Sequence, residues 1–162
     1  MASLPSGYSI RRIELKDYKD VVETLNVLTT VGDISQSEFA SIVEYWNTVT
    51  ISPLFSDGKD QNIYKYNPYV ITDGTDRVVA TGNVIIERKV IHRGGLVGHI
   101  EDIAVAKDQQ GKKLGLILIQ QLSEVAKEAG CYKVILDCDE KNVGFYEKCG
   151  YKRAGVEMDL RF

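Results

Sequence analysis

The sequence predicts a single α/β domain (mixed α+β) over residues 1–162. Its length of 162 residues suits one domain with a sizeable core. Turn residues at Asp73-Gly74 join two β-rich runs, the pattern of an antiparallel pair. Farther on, a strand ending at Val105 leads through a Gly/Lys-rich loop and an amphipathic helix to another strand, the order of a parallel crossover.

The elements follow in order. Residues 9–13 read as a short first strand. Over 16–28 the spacing puts Tyr18, Val21, Val22, Leu25 and Leu28 on one helical face, and Gly32-Asp33 lies in the break that follows. A second helix starts at Ser35, because Ser35 and Glu38 stand at capping-box spacing; its apolar face is Phe39, Ile42, Val43 and Trp46. Residues 51–65, with Pro53 and Gly58, read as an irregular loop. Strands are expected over 69–72 and 78–87, then a connection at His92-Arg93-Gly94-Gly95, then a strand over 96–105. The helix at 116–129 presents Leu118, Ile119, Leu122, Val125, Ala126 and Ala129, and Gly130 is its expected cap. A buried strand is expected over 132–137 and a short helix over 142–149, closed by Gly150. Last, Val156, Met158 and Leu160 alternate with Glu157, Asp159 and Arg161, the period of a half-exposed strand.

Composition narrows the function. With 44% hydrophobic and 27% charged residues the chain reads as soluble and globular. No apolar run approaches the roughly 20 residues of a membrane span. The first eight residues lack a secretory pattern, so a cytoplasmic protein is expected. A net charge of -3 with scattered basic residues argues against nucleic acid. Cys131, Cys138 and Cys149 form no CxxC motif and read as reduced thiols, Cys138 as a small buried hydrophobe. His92 and His99 lack partners at metal-ligand spacing, so no metal is expected.

The chemistry concentrates in the second half. Gln110-Gly111-Lys112-Lys113-Leu114-Gly115 lies between a strand and a helix, where backbone N–H groups and a helix N-terminus receive phosphate; a plain connection is the alternative. Glu101 and Asp102 interrupt the apolar strand His99-Ile100-Glu101-Asp102-Ile103-Ala104-Val105. Buried charge is costly, so either a β-bulge re-aims these side chains or the strand is a solvated edge. Asp137 ends an apolar run at the carboxyl end of a parallel strand, where open sheets hold ligands, or else caps a helix. Tyr146, on the short helix, is by residue type more often core packing than catalyst.

Taken together, the strand, loop and helix, followed by Asn142 and Phe145-Tyr146-Glu147-Lys148-Cys149-Gly150-Tyr151, resemble the cofactor half of the GNAT superfamily. The chain is more similar still to the glucosamine 6-phosphate N-acetyltransferase family, through Glu23-Thr24-Leu25, Val27-Leu28-Thr29-Thr30-Val31-Gly32, Gly98 to Val105, Cys131 to Cys138 and Gly155-Val156-Glu157-Met158. The resemblance covers nearly the whole chain apart from residues 51–65.

It implies a mixed, mostly antiparallel sheet, splayed at a parallel strand pair, with helices on both faces. It implies acetyl-CoA as cosubstrate, no metal, and transfer of acetyl to the 2-amino group of glucosamine 6-phosphate, a step toward UDP-N-acetylglucosamine. A GNAT acting on another amine, or an inert CoA-binding module, are the alternatives. By this resemblance Ile103, Ala104 and Val105 hold the pantetheine arm, Gln110, Gly111, Lys112, Lys113, Leu114 and Gly115 the pyrophosphate, and Asn142, Tyr146 and Lys148 the far side. Thr29, Lys89, His92, Glu101, Asp102, Ile103, Tyr132, Lys133, Asp137 and Arg161 are implied for the sugar phosphate. The implied catalytic set is Asp137, with Glu101 or a water, as proton acceptor and Tyr146 as donor to the thiolate. The resemblance also implies a homodimer in which Arg161 serves the partner's site. One departure stands out: the superfamily loop reads Q/R-x-x-G-x-G/A, and Lys113 replaces its first glycine. A lysine is penalised if φ there is positive, so the resemblance implies a backbone cradle that is either slightly shifted or ordinary in φ, with Lys113 adding a charge near the pyrophosphate.

Overall fold

The computed structural model describes residues 2–52 and 63–162. Its strands are β1 (Ser9–Arg12), β2 (Thr50–Ile51), β3 (Ile63–Tyr64), β4 (Tyr66–Thr72), β5 (Val78–Arg88), β6 (Leu96–Val105) and β7 (Cys131–Ile135). Its helices are α1 (Tyr18–Leu25), α2 (Gln36–Thr48), a distorted turn α3 (Ile91–Gly94), α4 (Leu114–Glu128) and α5 (Val143–Lys148). A five-stranded sheet runs in the order β1-β4-β5-β6-β7. All its pairs are antiparallel except β6–β7, which α4 connects in parallel.

Each face of the sheet carries its own core. Against one face α4 buries Leu114, Ile117, Leu118, Ile119, Leu122 and Ala126, with Ile71, Val79, Val84 and Ile86 beneath. Against the other, Val21 of α1 and Phe39 and Val43 of α2 enclose Val70 and Val78. Ser35 caps α2 as expected: its hydroxyl accepts from Glu38 N–H, and the Glu38 carboxylate accepts from Ser35 N–H at 2.8 Å.

Several expectations are corrected. The first helix stops at Leu25, and Leu28 is 51% exposed rather than part of the apolar face. The ends of the expected loop pair as the β2–β3 ribbon, while its Pro53 and Gly58 lie outside the described residues. The last strand of the crossover ends at Ile135, two residues before Asp137, and Tyr132 and Lys133 on it are exposed. It is the sheet's terminal strand, and among the described residues no strand lies beyond it to enclose those side chains. No strand forms over 156–160; among the described residues nothing pairs with it, and Val156, Met158 and Leu160 are 88%, 89% and 77% exposed. Cys138 is half-buried rather than enclosed, because it lies in the loop beyond β7 instead of on a strand.

Candidate active site

β6 and β7 run together only as far as His99 and Ile135. Beyond that point β6 continues to Val105 while the chain after Ile135 leaves the sheet, and a cleft opens between them. β6 is an interior strand, so the solvated-edge alternative for Glu101 and Asp102 is excluded. The bulge is present. Thr81 pairs with Ala104 and Asn83 with Glu101, leaving Gly82 opposite both Asp102 and Ile103, with Asp102 at φ 57°.

One extra residue reverses the facing of everything after it. Before the bulge, Leu96 and Ile100 point into the α4 core; after it, Ile103 and Val105 do. Glu101 is thereby left on the opposite face, with His99. Gly82 permits this crossing, since a β-carbon there would overlap Ile103 Cδ1.

The cleft collects carboxylates. Burial raises the Glu101 pKa above its ordinary value, the charges of Asp137, Asp102 and Glu157 raise it further, and His99 opposes the shift. Partial desolvation also raises Asp102. By contrast the buried Asp17 is fully matched, accepting from Arg11 Nη1 and Nη2 at 2.7 and 2.9 Å. Among the described residues these carboxylates have no such partner, and acids crowded together in this way suit a cationic ammonium or a transferable proton.

Cations stand at one end. Lys89 Nζ lies 2.6 Å from Glu87 Oε2, and His99 Nε2 shares the same oxygen at 2.8 Å. The α3 turn holds His92 at φ 53° and Arg93 at φ 57°, and it sets the His92 ring centre 4.1 Å from that of Tyr132, the rings tilted by 43°. Gly95 makes this packing possible, because an added β-carbon would lie 3.0 Å from both His92 and Tyr132. Lys133 Nζ is 5.8 Å from the Tyr132 ring centre.

At the other end lies the glycine- and lysine-rich loop. Gly111 has φ 83°, and Lys113, the N-terminal boundary of α4, has φ 63°, ψ 14°. This corrects the expectation of an ordinary φ: the lysine itself takes the left-handed conformation. Left-handed backbone costs a non-glycine residue about 1–2 kcal/mol. Enclosing a single leucine or isoleucine contributes about 1.5–3 kcal/mol, and α4 encloses Leu114, Leu118, Ile119 and Leu122 immediately after. The helix wins and the loop is held. Gly115 packs against the next element, with Phe145 Cζ 3.2 Å from where its β-carbon would be. Next to Phe145, Tyr146 is half-buried with ring centres 5.0 Å apart. Burial, then the neighbouring Cys138, Cys149 and Asp137, push its hydroxyl pKa up to about 12. It is therefore a protonated donor at neutral pH.

Comparison with known proteins identifies the family. Residues 34–151 match the model of the acetyltransferase (GNAT) family. The chain belongs to the GNAT family. Its relatives include a glucosamine 6-phosphate N-acetyltransferase of Candida albicans, 52% identical over 98% of this chain and 99% of that one. The crystal structure of glucosamine-6-phosphate N-acetyltransferase from Arabidopsis thaliana superposes with TM-score 0.82 at 35% identity, covering 96% of this chain and 98% of that chain. A Trypanosoma brucei acetyltransferase structure gives TM-score 0.81 at 31% identity, over 96% and 99%.

This GNAT chain brings Glu101, Asp102 and Asp137 to one cleft, with Ile103, Ala104 and Val105 on its β6 wall. Asn142 bounds α5 at its start and Lys148 ends it, both exposed. Thr29 is exposed just past α1, its N–H donating to Leu25 O at 3.1 Å. Arg161 is not brought to the cleft of its own chain; its side chain is 92% exposed and pairs with Asp159 at 2.8 Å. Sequence reasoning missed Gly82 and Glu87. Both depend on the β5–β6 register, which puts Gly82 under the bulge and Glu87 within reach of His99 and Lys89. Among the described residues no helix is long and apolar enough to cross a membrane.

Proposed function

We propose that this chain transfers the acetyl group of acetyl-CoA to the 2-amino group of glucosamine 6-phosphate, releasing CoA. The single observation that carries the reading is the cleft beyond His99 and Ile135, with acids at the β6 bulge and a glycine–lysine loop opening α4. The substrate is that of the relatives with the same fold and nearly the same length. The loop from Gln110 to Gly115 suits a diphosphate, which a helix N-terminus and glycine-opened backbone receive well.

In the reaction the sugar amine forms a C–N bond to the thioester carbonyl carbon and the C–S bond breaks. Asp137, directly or with Glu101 or a water, takes the amine proton. The backbone at Ile103, offset by the bulge, donates to the carbonyl oxygen as charge gathers there. Tyr146, whose hydroxyl pKa burial pushes up to about 12, gives its proton to the departing sulfur. Lys89, Lys133 and His92 stabilise the anionic sugar phosphate in this reading.

The exposed alternating tail supports a homodimer. Val156, Met158, Leu160 and the terminal Phe162 present a run of apolar surface that a soluble chain ordinarily covers. The tail of one protomer then pairs with the other, and Arg161 reaches its partner's phosphate. Residues 1–162 act as one domain in this reading, and the protein works in the cytoplasm. Acetyl-CoA consumption is the test, with glucosamine 6-phosphate, glucosamine and peptide amines offered separately. The reading predicts turnover with the first, at least about tenfold weaker kcat/KM without the phosphate, and none with peptides. Equal turnover of the two sugars contradicts the phosphate assignment, and preference for peptides contradicts the substrate.

A further inference from the structure

Outside the cleft, one closed set of hydrogen bonds joins the N-terminal segment to the loop that opens α4. The Tyr8 hydroxyl donates to Gln109 Oε1 at 2.6 Å. Lys112 Nζ donates to that same Gln109 oxygen at 2.7 Å and to the Tyr8 oxygen at 2.9 Å. Three groups thus form a triangle in which every member bonds both others.

The triangle is anchored on both sides. Gln109 Nε2 donates to Asp108 Oδ2 at 2.8 Å, and Arg77 Nη2 donates to the same carboxylate at 2.6 Å. Tyr8 is fixed by its own segment: its N–H donates to Pro5 O at 3.1 Å, its ring packs against the α4-side core, and Ser9 begins β1. The Ala2 N–H donates to Gln120 on α4 at 3.0 Å. Lys112 lies within 5.4 Å of the Tyr8 ring centre, but its contact with the phenol oxygen is the closer one.

A lysine ammonium on a four-carbon stem is ordinarily free to rotate, and ordering it on an anion costs much of what the ion pair gains. Here two of its three N–H donors are already occupied by neighbouring oxygens, next to the left-handed Gly111 and Lys113. We propose that Tyr8 is a positioning residue for acetyl-CoA: with Gln109 it holds the Lys112 ammonium and the loop backbone in the arrangement that receives the diphosphate. The proposal rests on the loop being the diphosphate site. Tyr8 touches neither reacting atom, and it acts through Lys112. Preorganisation of this kind strengthens binding without altering the chemical step.

The test uses the full chain and two acyl donors, acetyl-CoA and S-acetylpantetheine, the second of which has no diphosphate. If the loop holds the diphosphate, the wild type must prefer acetyl-CoA in kcat/KM; equal use of both donors overturns the loop assignment itself. Given that preference, Tyr8→Phe, which keeps the ring, should raise KM for acetyl-CoA about three- to tenfold with kcat and KM for the sugar unchanged. Its kinetics with acetylpantetheine should match the wild type. Gln109→Leu should show the same selective loss, and Tyr8→Phe should add nothing in a Lys112→Met background. Equal losses with both donors reduce Tyr8 to a structural residue. No loss with either donor, a lower KM for acetyl-CoA, or additive effects of the Tyr8 and Lys112 substitutions each overturn the proposal.

Discussion

Glu101 is held where its charge is unwelcome. Folding raises its pKa through burial first and through Asp137, Asp102 and Glu157 next. A raised carboxylate favours the protonated form on folding, so that contribution to stability is present at low pH and lost as pH rises through the raised value. At neutral pH the penalty stands. Glu101→Gln should therefore raise the melting temperature at pH 7, and it should narrow the difference at pH 4, while kcat/KM falls by about 10²–10⁴-fold if Glu101 handles the proton. A variant that loses activity without gaining stability at pH 7 contradicts the electrostatic account. Tyr146→Phe should lower kcat by about 10²-fold or more with acetyl-CoA affinity nearly unchanged, since the ring stays and the donor goes. Unchanged turnover across the pH range removes Tyr146 from the chemistry. At this scale the sequence announced the acids, because two carboxylates inside Ile100 to Val105 violate the strand's own pattern. Tyr146 carried no such mark, since an aromatic on a helix next to Phe145 is equally good packing; its elevated hydroxyl is a property of the assembled neighbourhood.

The β6 bulge turns one strand into two faces, and Gly82 is its hinge point. Gly82→Ala drives a β-carbon into Ile103 Cδ1. Overpacking of this kind costs about 1–3 kcal/mol, so the melting temperature should fall and KM for acetyl-CoA should rise as Ile103 is pushed from the cleft wall. At the start of α4, Lys113→Gly should stabilise the chain by about 0.5–1 kcal/mol, the left-handed penalty less the added entropy of glycine. The midpoint of urea unfolding reads it directly; a lower midpoint means that the lysine side chain contributes more than its backbone costs. Most elements were legible from period and punctuation: Ser35 and Glu38 start α2, Gly130 ends α4, and β6 has the expected bounds. The failures differ in cause. The apolar run Val134-Ile135-Leu136 correctly announced β7 but not that it is the end strand of the sheet and stops at Ile135. The tail read as a strand from alternation, which does not reveal whether a neighbouring strand exists to complete the pairing.

Across the whole molecule the five-stranded sheet carries a core on each face, and among the described residues the stretch from Val156 to Phe162 leaves its apolar side chains exposed. The dimer reading makes a quantitative prediction there. Asp137→Ala and Arg161→Ala should each be nearly inactive alone. In a mixed dimer the Arg161→Ala chain keeps its Asp137 and receives Arg161 from its partner, so one of two sites is intact. Random pairing makes about half the dimers mixed, and roughly a quarter of wild-type activity should return on co-expression. Mixed dimers with no activity contradict a shared site. The architecture was readable in outline, since the crossover around α4 and the paired strands before it follow from local signals. Whether the tail pairs with a partner chain is not a local property, and a single sequence does not encode it by period. The measurement that bears most directly on the central claim is a competition in one tube. Limiting acetyl-CoA is mixed with equal glucosamine 6-phosphate, glucosamine and a peptide amine, and products are resolved by mass. The account predicts that nearly all transferred acetyl appears on glucosamine 6-phosphate, matched mole for mole by free CoA thiol. Acetyl found chiefly on the peptide, or shared equally between the two sugars, would contradict it.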